Sequence, residues 1–145
     1  MFDAYGRDIH YLRLSVTDLC SLRCRYCMPE GVPKLAHGDI LTYEEFLRLA
    51  ALFARCGVDT VRVTGGEPLV RPGVEQLVAG LKATPGIRKV TMTTNGVRLA
   101  EKLPALLAAG LDSVNISLDT LDAETFRRIT ARDELAHVLE GIRAA

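Results

Sequence analysis

The amino-acid sequence predicts an α/β fold in which parallel βα repeats form an incomplete, TIM-like barrel. Three observations support this fold class: four short apolar runs typical of strands, helical apolar periodicity after each run, and Gly or Pro residues between them. Chains that alternate strand and helix in this way form right-handed βαβ units, with a parallel sheet and helices outside. About four such units fit the 145 residues, whereas a closed barrel needs eight.

The four predicted strands are short segments dominated by apolar residues. They span residues 9–16, 60–64, about 87–93 and 111–117. Because side chains alternate between the two faces of a strand, Arg13 is expected on the face opposite Leu12 and Leu14. An irregular loop with Gly and Pro residues is expected at 29–39.

Helices are predicted after the strands from apolar spacing and from capping residues. Thr42 begins the first helix, and Glu45 completes a capping box three residues later. Pro72 opens the second helix, whereas Pro104 inside the third argues against a straight helix there. A helical turn follows near residues 124–129. The last helix has an apolar face made by Leu135, Val138, Leu139 and Ile142.

Composition and charge argue against several classes of protein. The formal net charge is zero, and no block of like charge indicates a nucleic-acid partner or an anionic membrane surface. The N-terminus lacks a basic stretch followed by an apolar core, and no apolar run approaches the length needed to span a bilayer. We therefore predict a cytoplasmic protein with reduced thiols and with no nucleic-acid or membrane partner.

The sequence ends at Ala144 and Ala145 inside the last predicted helix, without a glycine cap or a following turn. Residues 1–145 are therefore expected to be the N-terminal part of a longer core domain, with about four of its βα units. The last strand would then have an open edge that the absent part covers.

Three cysteines, Cys20, Cys24 and Cys27, follow the first strand in a CxxxCxxC spacing. An odd triplet in a chain without a secretory signal points to a metal rather than to disulfides. A four-iron, four-sulfur cluster held by three cysteines leaves one iron free for a small molecule, whereas a structural zinc site needs four protein ligands. Cys56, the remaining cysteine, lies among apolar residues and is expected to be a buried thiol. The missing fourth ligand favours iron–sulfur over zinc, and both remain open from spacing alone.

Polar or glycine-rich segments follow all four predicted strands. Because the carboxyl ends of parallel strands meet at one rim, we expect these segments to form one ligand site. Gly65 and Gly66 would let the backbone approach a ligand and leave N–H groups for a carboxylate, with Glu67 available to an ammonium group. Each segment also has a structural explanation, with the glycines as a tight turn and with Ser117 and Asp119 as helix caps. Their joint occurrence at one rim favours a functional site.

Two arginines, Arg13 and Arg62, lie within predicted strands and have apolar neighbours on both sides. Parallel strands covered by helices are usually almost continuously apolar, so a cation there needs a partner. Alternation puts both arginines on the sheet face opposite the helices, toward the interior of a curved or closed barrel. Structural salt bridges are one explanation. We favour an anionic substrate, because guanidinium geometry suits phosphate oxygens.

The sequence resembles the radical S-adenosylmethionine (SAM) enzymes in its CxxxCxxC motif, with Tyr26 before the last cysteine, and in the Gly65-Gly66-Glu67-Pro68 segment. Further motifs resemble the GTP 3′,8-cyclase family, which acts in molybdenum cofactor biosynthesis. These motifs lie at residues 5–7, 11–18, 27–29, 63–68, 93–96 and 115–119. Between the cysteines, Ser21 and Leu22 depart mildly from the Asn-Phe pair that is more frequent in this family.

The resemblance implies a [4Fe–4S] cluster, with the amino and carboxylate groups of SAM on its open iron. The cysteines that match the cluster ligands are Cys20, Cys24 and Cys27. The positions that match SAM contacts are Tyr26, Gly65, Gly66, Glu67, Asn95 and Ser117. The positions that match GTP contacts are Arg13, Arg62 and Thr93. In the family, one electron from a donor partner cleaves SAM, and the resulting 5′-deoxyadenosyl radical starts the cyclisation of GTP to 3′,8-cyclo-7,8-dihydro-GTP.

Members of this family continue into a C-terminal region with a second three-cysteine cluster that binds guanine, and the 145 residues contain no such cysteines. We therefore predict that this chain alone does not turn over GTP. Two alternatives stay open: a different radical SAM enzyme, such as one that modifies a peptide, and a non-catalytic zinc-binding βα module. His10, His37 and His137 show no ligand spacing and are assigned no role.

Overall fold

The computed structural model describes residues 2–28 and 35–145, so part of the loop predicted at 29–39 lies outside the described residues. The strands of the described residues are β1 (Tyr11–Ser15), β2 (Thr60–Thr64), β3 (Lys89–Thr94) and β4 (Ser113–Ile116). Their α-helices are α1 (Tyr43–Arg55), α2 (Val74–Ala83), α3 (Leu99–Ala108), α4 (Ala123–Thr130) and α5 (Leu135–Ala144). Short 3₁₀ turns lie at His37–Asp39 and Pro68–Val70.

The strands form one parallel sheet in the order β1-β2-β3-β4. A helix lies in each connection between consecutive strands, so the predicted architecture of parallel βα units is confirmed. In the register, Arg13 pairs with Arg62, and Thr93 pairs with Asn115. The carboxyl ends of the strands therefore meet at one rim of the sheet.

The main core lies between one face of the sheet and the helices. The strands contribute Leu14, Val61, Val63, Val90 and Met92 to it. The helices contribute Phe46, Ala50, Val74, Leu77, Val78, Leu81, Leu99 and Leu106. On the other face of the sheet, Arg13 is exposed and Arg62 is half-buried. Alternation thus puts both arginines opposite the core as predicted, but neither is fully buried, because the described residues leave much of that face open.

Helix α1 begins where its capping signals predict, whereas α2 begins at Val74 with Gly73 as its N-cap rather than at the predicted Pro72. In α1, Thr42 N donates to Glu45 Oε2 (2.7 Å) and Glu45 N donates to Thr42 Oγ1 (3.3 Å), which confirms the capping box. Helix α3 continues through Pro104, which removes one backbone donor without ending the helix. Among the described residues, no helix is both long enough and apolar enough to cross a membrane.

Other predictions from the sequence also differ from the structure. Strand β1 covers Tyr11–Ser15 instead of residues 9–16, and β3 covers Lys89–Thr94 instead of about 87–93. Strand β4 begins at Ser113 rather than at Leu111, because Leu111 N donates to Leu106 O (3.0 Å) in the turn that ends α3. Cys56 is exposed rather than buried. It forms the C-cap of α1, and the chain returns to the core only at Val58.

Candidate active site

A cavity of about 230 Å³ lies at the rim where the four strands end. Residues that follow each of the four strands line it, as expected for a ligand site in a parallel sheet. The predicted site residues in its lining are Cys20, Cys24, Tyr26, Cys27, Gly65, Gly66, Glu67, Thr93, Asn95 and Ser117. The structure therefore brings most of the predicted site together, although Arg13 and Arg62 do not line this cavity.

The cysteine segment is held in place by α4. Arg23 N donates to Thr130 O (2.9 Å), and Arg25 N donates to Ile129 O (3.0 Å). Leu22 is buried in a second, smaller core that we call the rim core. The rim core consists of Leu22, Cys24, Phe126, Leu135 and Val138. No local pattern in the sequence indicates this support, because α4 and α5 lie far along the chain from the cysteines.

The three predicted ligand thiols differ in their exposure to solvent. Cys24 is buried, Cys20 is half-buried and Cys27 is exposed. Burial raises the pKa of the Cys20 thiol, and burial together with the neighbouring Cys27 raises the pKa of Cys24 to about 11. Free thiols with raised pKa values keep their protons at neutral pH, so a metal must displace those protons when it binds.

Gly65 and Gly66 allow two backbone segments to touch. A Cβ atom added at Gly66 would lie 2.3 Å from Leu19 O, and one at Gly65 would lie 2.6 Å from Thr17 O. In the same contact, Gly66 N donates to Thr17 O (2.7 Å) and Glu67 N donates to Leu19 O (2.7 Å). These two amides hold the segment that leads into the cysteines, so neither is free for the ligand carboxylate that was predicted to bind here.

Glu67 joins the ends of β2 and β3. Its side chain is 1% exposed, and Oε1 accepts from Thr94 Oγ1 (2.7 Å) and Leu69 N (3.0 Å). Oε2 accepts from Asn95 N (2.6 Å). Burial raises the pKa of Glu67, and the three donors act in the opposite direction. Both carboxylate oxygens of Glu67 thus already accept hydrogen bonds from the protein. Direct contact of Glu67 with SAM stays a prediction.

Asn95 lies beside the first cysteine of the motif. Its Nδ2 donates to Ser21 Oγ (3.0 Å) and to Cys20 Sγ (3.6 Å). Its Oδ1 accepts from Val97 N (3.1 Å), which fixes the orientation of the amide with the NH₂ group toward the cysteine. Sequence reasoning placed Asn95 at this rim but did not anticipate a contact with the sulfur.

Tyr26 reaches from the cysteine segment to the end of β4. Its hydroxyl donates to Asp119 Oδ2 (2.9 Å), and this hydrogen bond raises the pKa of Tyr26. Asp119 therefore orients Tyr26 and does not cap a helix, since Asp122 caps α4. Ser117 is also not a cap; its N–H donates to Thr94 O (2.9 Å) at the rim.

Arg62 and Arg13 lie below the rim on the open face of the sheet. Arg62 Nε donates to Thr91 Oγ1 (3.2 Å), and its guanidinium carbon lies 5.7 Å from the centre of the Tyr11 ring. Among residues 2–28 and 35–145, neither arginine has a carboxylate within salt-bridge distance. The structural salt bridges considered from the sequence are thus not found in this part of the chain.

A family model defines the class of protein to which this rim of cysteines, glycines and polar side chains belongs. The model of the Radical SAM superfamily matches residues 14–145, and the chain belongs to that superfamily. Membership implies a [4Fe–4S] cluster and SAM as cofactors.

Two named relatives are similar to this chain over all or nearly all of its length. The GTP 3′,8-cyclase of Geobacter sulfurreducens is 54% identical over 146 residues, which cover 100% of this chain and 45% of the relative. Molybdenum cofactor biosynthesis protein 1 of Mus musculus is 53% identical over 144 residues, which cover 99% of this chain and 23% of the relative. The chain therefore spans less than half the length of these relatives.

Solved structures have the same fold. The crystal structure of Streptococcus suis SuiB bound to S-adenosylmethionine matches with a TM-score of 0.72 at 21% identity, covering 91% of this chain and 30% of that chain. BtrN in complex with AdoMet and 2-DOIA matches with a TM-score of 0.59 at 18% identity, covering 92% of this chain and 55% of that chain. These likenesses concern the fold alone.

The cavity residues fit the implied cluster in their chemistry. Three soft thiol donors line one cavity. Polar groups from the ends of the other strands line the same cavity. Within the described ranges, no three His, Cys, Asp or Glu side chains form a group that could hold a metal ion as they stand. Because each cysteine of a four-iron cluster binds a different iron, its ligands need not converge on one point.

Proposed function

We propose that residues 1–145 are the N-terminal part of a GTP 3′,8-cyclase, a radical SAM lyase of molybdenum cofactor biosynthesis. The observation that carries this proposal is the identity of more than half of the residues with a GTP 3′,8-cyclase across the whole chain, including 54% with that of Geobacter sulfurreducens. The product would be 3′,8-cyclo-7,8-dihydro-GTP. The redox chemistry requires an electron donor as a partner, and reduced cysteines are consistent with a cytoplasmic location.

In this proposal, Cys20, Cys24 and Cys27 would be the three cluster ligands, which leaves one iron without a protein ligand for SAM. When bound, the cluster would supply the electron for the reductive cleavage of SAM that starts the radical chemistry on GTP. The chain's own part is to hold the cosubstrate at the rim. The side chains and backbone proposed for this are Tyr26, Gly65, Gly66, Glu67, Asn95 and Ser117.

The GTP contacts are proposed from the geometry of the sheet. Thr93 lines the cavity and lies two residues from Thr91, which accepts a hydrogen bond from Arg62. Residues two apart in a strand point to the same face, so Thr93 lies on the same face of the sheet as Thr91. Arg62 and its register partner Arg13 lie on this face too, next to Thr91. A nucleotide that extends from the rim along this face would place its phosphates near two guanidinium groups that have no carboxylate partner among the described residues.

The test uses the full-length protein with Arg62→Ala and, separately, Arg13→Ala. Removing a charge-assisted hydrogen bond to phosphate should lower GTP affinity about tenfold or more, measured by calorimetry under anaerobic conditions. SAM affinity should stay unchanged, because neither arginine lines the cavity. Arg55→Ala, an exposed arginine at the end of α1, is the matched control and should bind GTP normally.

Other outcomes would favour the alternatives. Unchanged GTP affinity in both variants, with SAM cleavage intact, would favour a radical SAM enzyme with a different substrate. A colourless protein that contains zinc but no iron or sulfide after anaerobic purification would favour the zinc-binding module.

A further inference from the structure

The hydrogen bond from Asn95 to Cys20 has a consequence for redox chemistry. A cluster becomes more negative by one charge when it is reduced, and N–H groups that donate to its cysteine sulfurs stabilise the more negative form. Among the described residues, Asn95 Nδ2 donates to Cys20 Sγ at 3.6 Å, and the backbone N–H of Leu22 is a second donor to the Cys20 thiol.

The Asn95 amide has little freedom to turn away. Its Oδ1 accepts from Val97 N (3.1 Å), so a flipped amide would set two donors against each other. The second N–H of Nδ2 is directed to Ser21 Oγ (3.0 Å), inside the cysteine segment. One N–H of the amide therefore remains aligned with the sulfur.

The backbone of Asn95 is also fixed. Asn95 N donates to the buried carboxylate of Glu67 (2.6 Å), and the Glu67 backbone N donates to Leu19 O (2.7 Å) next to Cys20. The ends of β2 and β3 and the start of the cysteine segment are thus joined in one hydrogen-bonded network. Glu67 is buried and Asn95 and Cys20 are half-buried, and partial removal from water strengthens the electrostatic contacts of such a network.

We propose that Asn95 is a positioning residue for the redox step, and that its hydrogen bond to Cys20 Sγ raises the reduction potential of the cluster. This inference deepens the proposed function, because it rests on Cys20 as a cluster ligand. It assigns to Asn95 a role distinct from contact with the cosubstrate.

The test is a redox titration of the full-length, reconstituted protein followed by electron paramagnetic resonance, without SAM or GTP. Asn95→Asp keeps the acceptor for Val97 N, loses the donors and adds a charge near the sulfur. Asn95→Ala loses the donor without adding charge. Both midpoint potentials should shift to more negative values, which for Asn95→Ala corresponds to a fall of about threefold to tenfold in the equilibrium constant for one-electron reduction. Asn115→Asp makes the same chemical change at an asparagine of β4 that does not line the cavity, and its potential should match the wild type.

Iron and sulfide analysis separates this inference from the one on which it rests. A normal cluster with an unchanged potential in both Asn95 variants would overturn the tuning role and leave the ligand assignment intact. A Cys20→Ser variant that keeps a full cluster would overturn the ligand assignment itself. Loss of the cluster from both Asn95 variants, but not from Asn115→Asp, would also overturn tuning, because Asn95 would then be needed to hold the cluster.

Discussion

Gly66 shows how a single missing methyl group shapes this site. Its backbone lies so close to Leu19 O and Asp18 O that a Cβ atom would overlap both, at 2.3 and 2.8 Å. Both neighbours are backbone atoms, which cannot rotate away as a flexible side chain can. The glycine pair is thus required by contact with the cysteine segment, independently of any ligand.

Gly66→Ala should therefore destabilise the protein and weaken cluster binding. Overpacking of this kind costs about 1–3 kcal/mol, and the displaced segment leads directly into Cys20. Urea denaturation should show the loss of stability, and iron content after anaerobic reconstitution should fall. Gly38→Ala is the matched control, because a Cβ atom at Gly38 meets no atom of the described residues within 4 Å. Equal behaviour of the two variants would contradict this explanation of Gly66.

At the level of elements, α4 and α5 act as the support of the cysteine segment. Phe126 on α4 is 2% exposed and packs in the rim core with Leu22 and Cys24. Two carbonyls at the end of α4 accept from the backbone N–H groups of Arg23 and Arg25. The ligand segment is therefore held from one side by the glycine contact and from the other by a helix.

Phe126→Ala should loosen this support. Removing a buried aromatic ring costs about 3–5 kcal/mol, and here the cavity would open under Cys24. The expected result is faster loss of iron to a chelator at a temperature where circular dichroism shows an intact fold. Leu106→Ala provides the comparison, since Leu106 is also fully buried but belongs to the main core. If both variants lost iron at the same rate, the rim core would have no special part in holding the cluster.

The sequence predicted the elements better than the contacts between them. Strand β2 was predicted at its observed bounds, because its apolar residues, the arginine and the following glycines are local signals. The Thr42 and Glu45 capping box is likewise local. The late start of β4 depended on where α3 ends, and hydrophobic periodicity determines helix ends poorly. Cys56 is exposed because it forms the C-cap of α1, and the chain returns to the core only at Val58.

The candidate site likewise shows that the position of residues could be predicted better than the contacts between them. The rule that ligands bind at the ends of parallel strands correctly brought Cys20, Glu67, Asn95 and Ser117 to one rim. The individual hydrogen bonds at that rim could not be predicted, because Asn95 and Cys20 are 75 residues apart in the chain. Such contacts depend on strand register and loop shape, which a single sequence does not reveal.

At the scale of the whole molecule, the sheet has helices on one face and two arginines on a face that the described residues leave largely open. An oxidising radical requires a site closed to water, and charged groups attract substrate strongly only where water is excluded. Residues 1–145 thus combine the cavity at the strand ends, where we propose that SAM binds, with an open face of the sheet, where we propose that GTP binds.

We therefore predict that residues 1–145 alone, reconstituted anaerobically with iron, sulfide and reductant, form no cyclic product from GTP. Product analysis by mass spectrometry after incubation with SAM and GTP is the measurement. The full-length protein treated in the same way is the positive control. Measurable cyclic product from the isolated chain would contradict this prediction.

The dependence of the cysteine segment on α4 also bears on how the protein is made. During synthesis on the ribosome, Cys20, Cys24 and Cys27 leave the exit tunnel long before Phe126 and Thr130 do. Until those residues emerge, the nascent chain presents its thiols without the carbonyls and the aromatic ring that hold them in the finished fold. Under the proposed ligand assignment, we expect stable insertion of iron only after α4 has emerged, and the thiols need protection from oxidation in the interval.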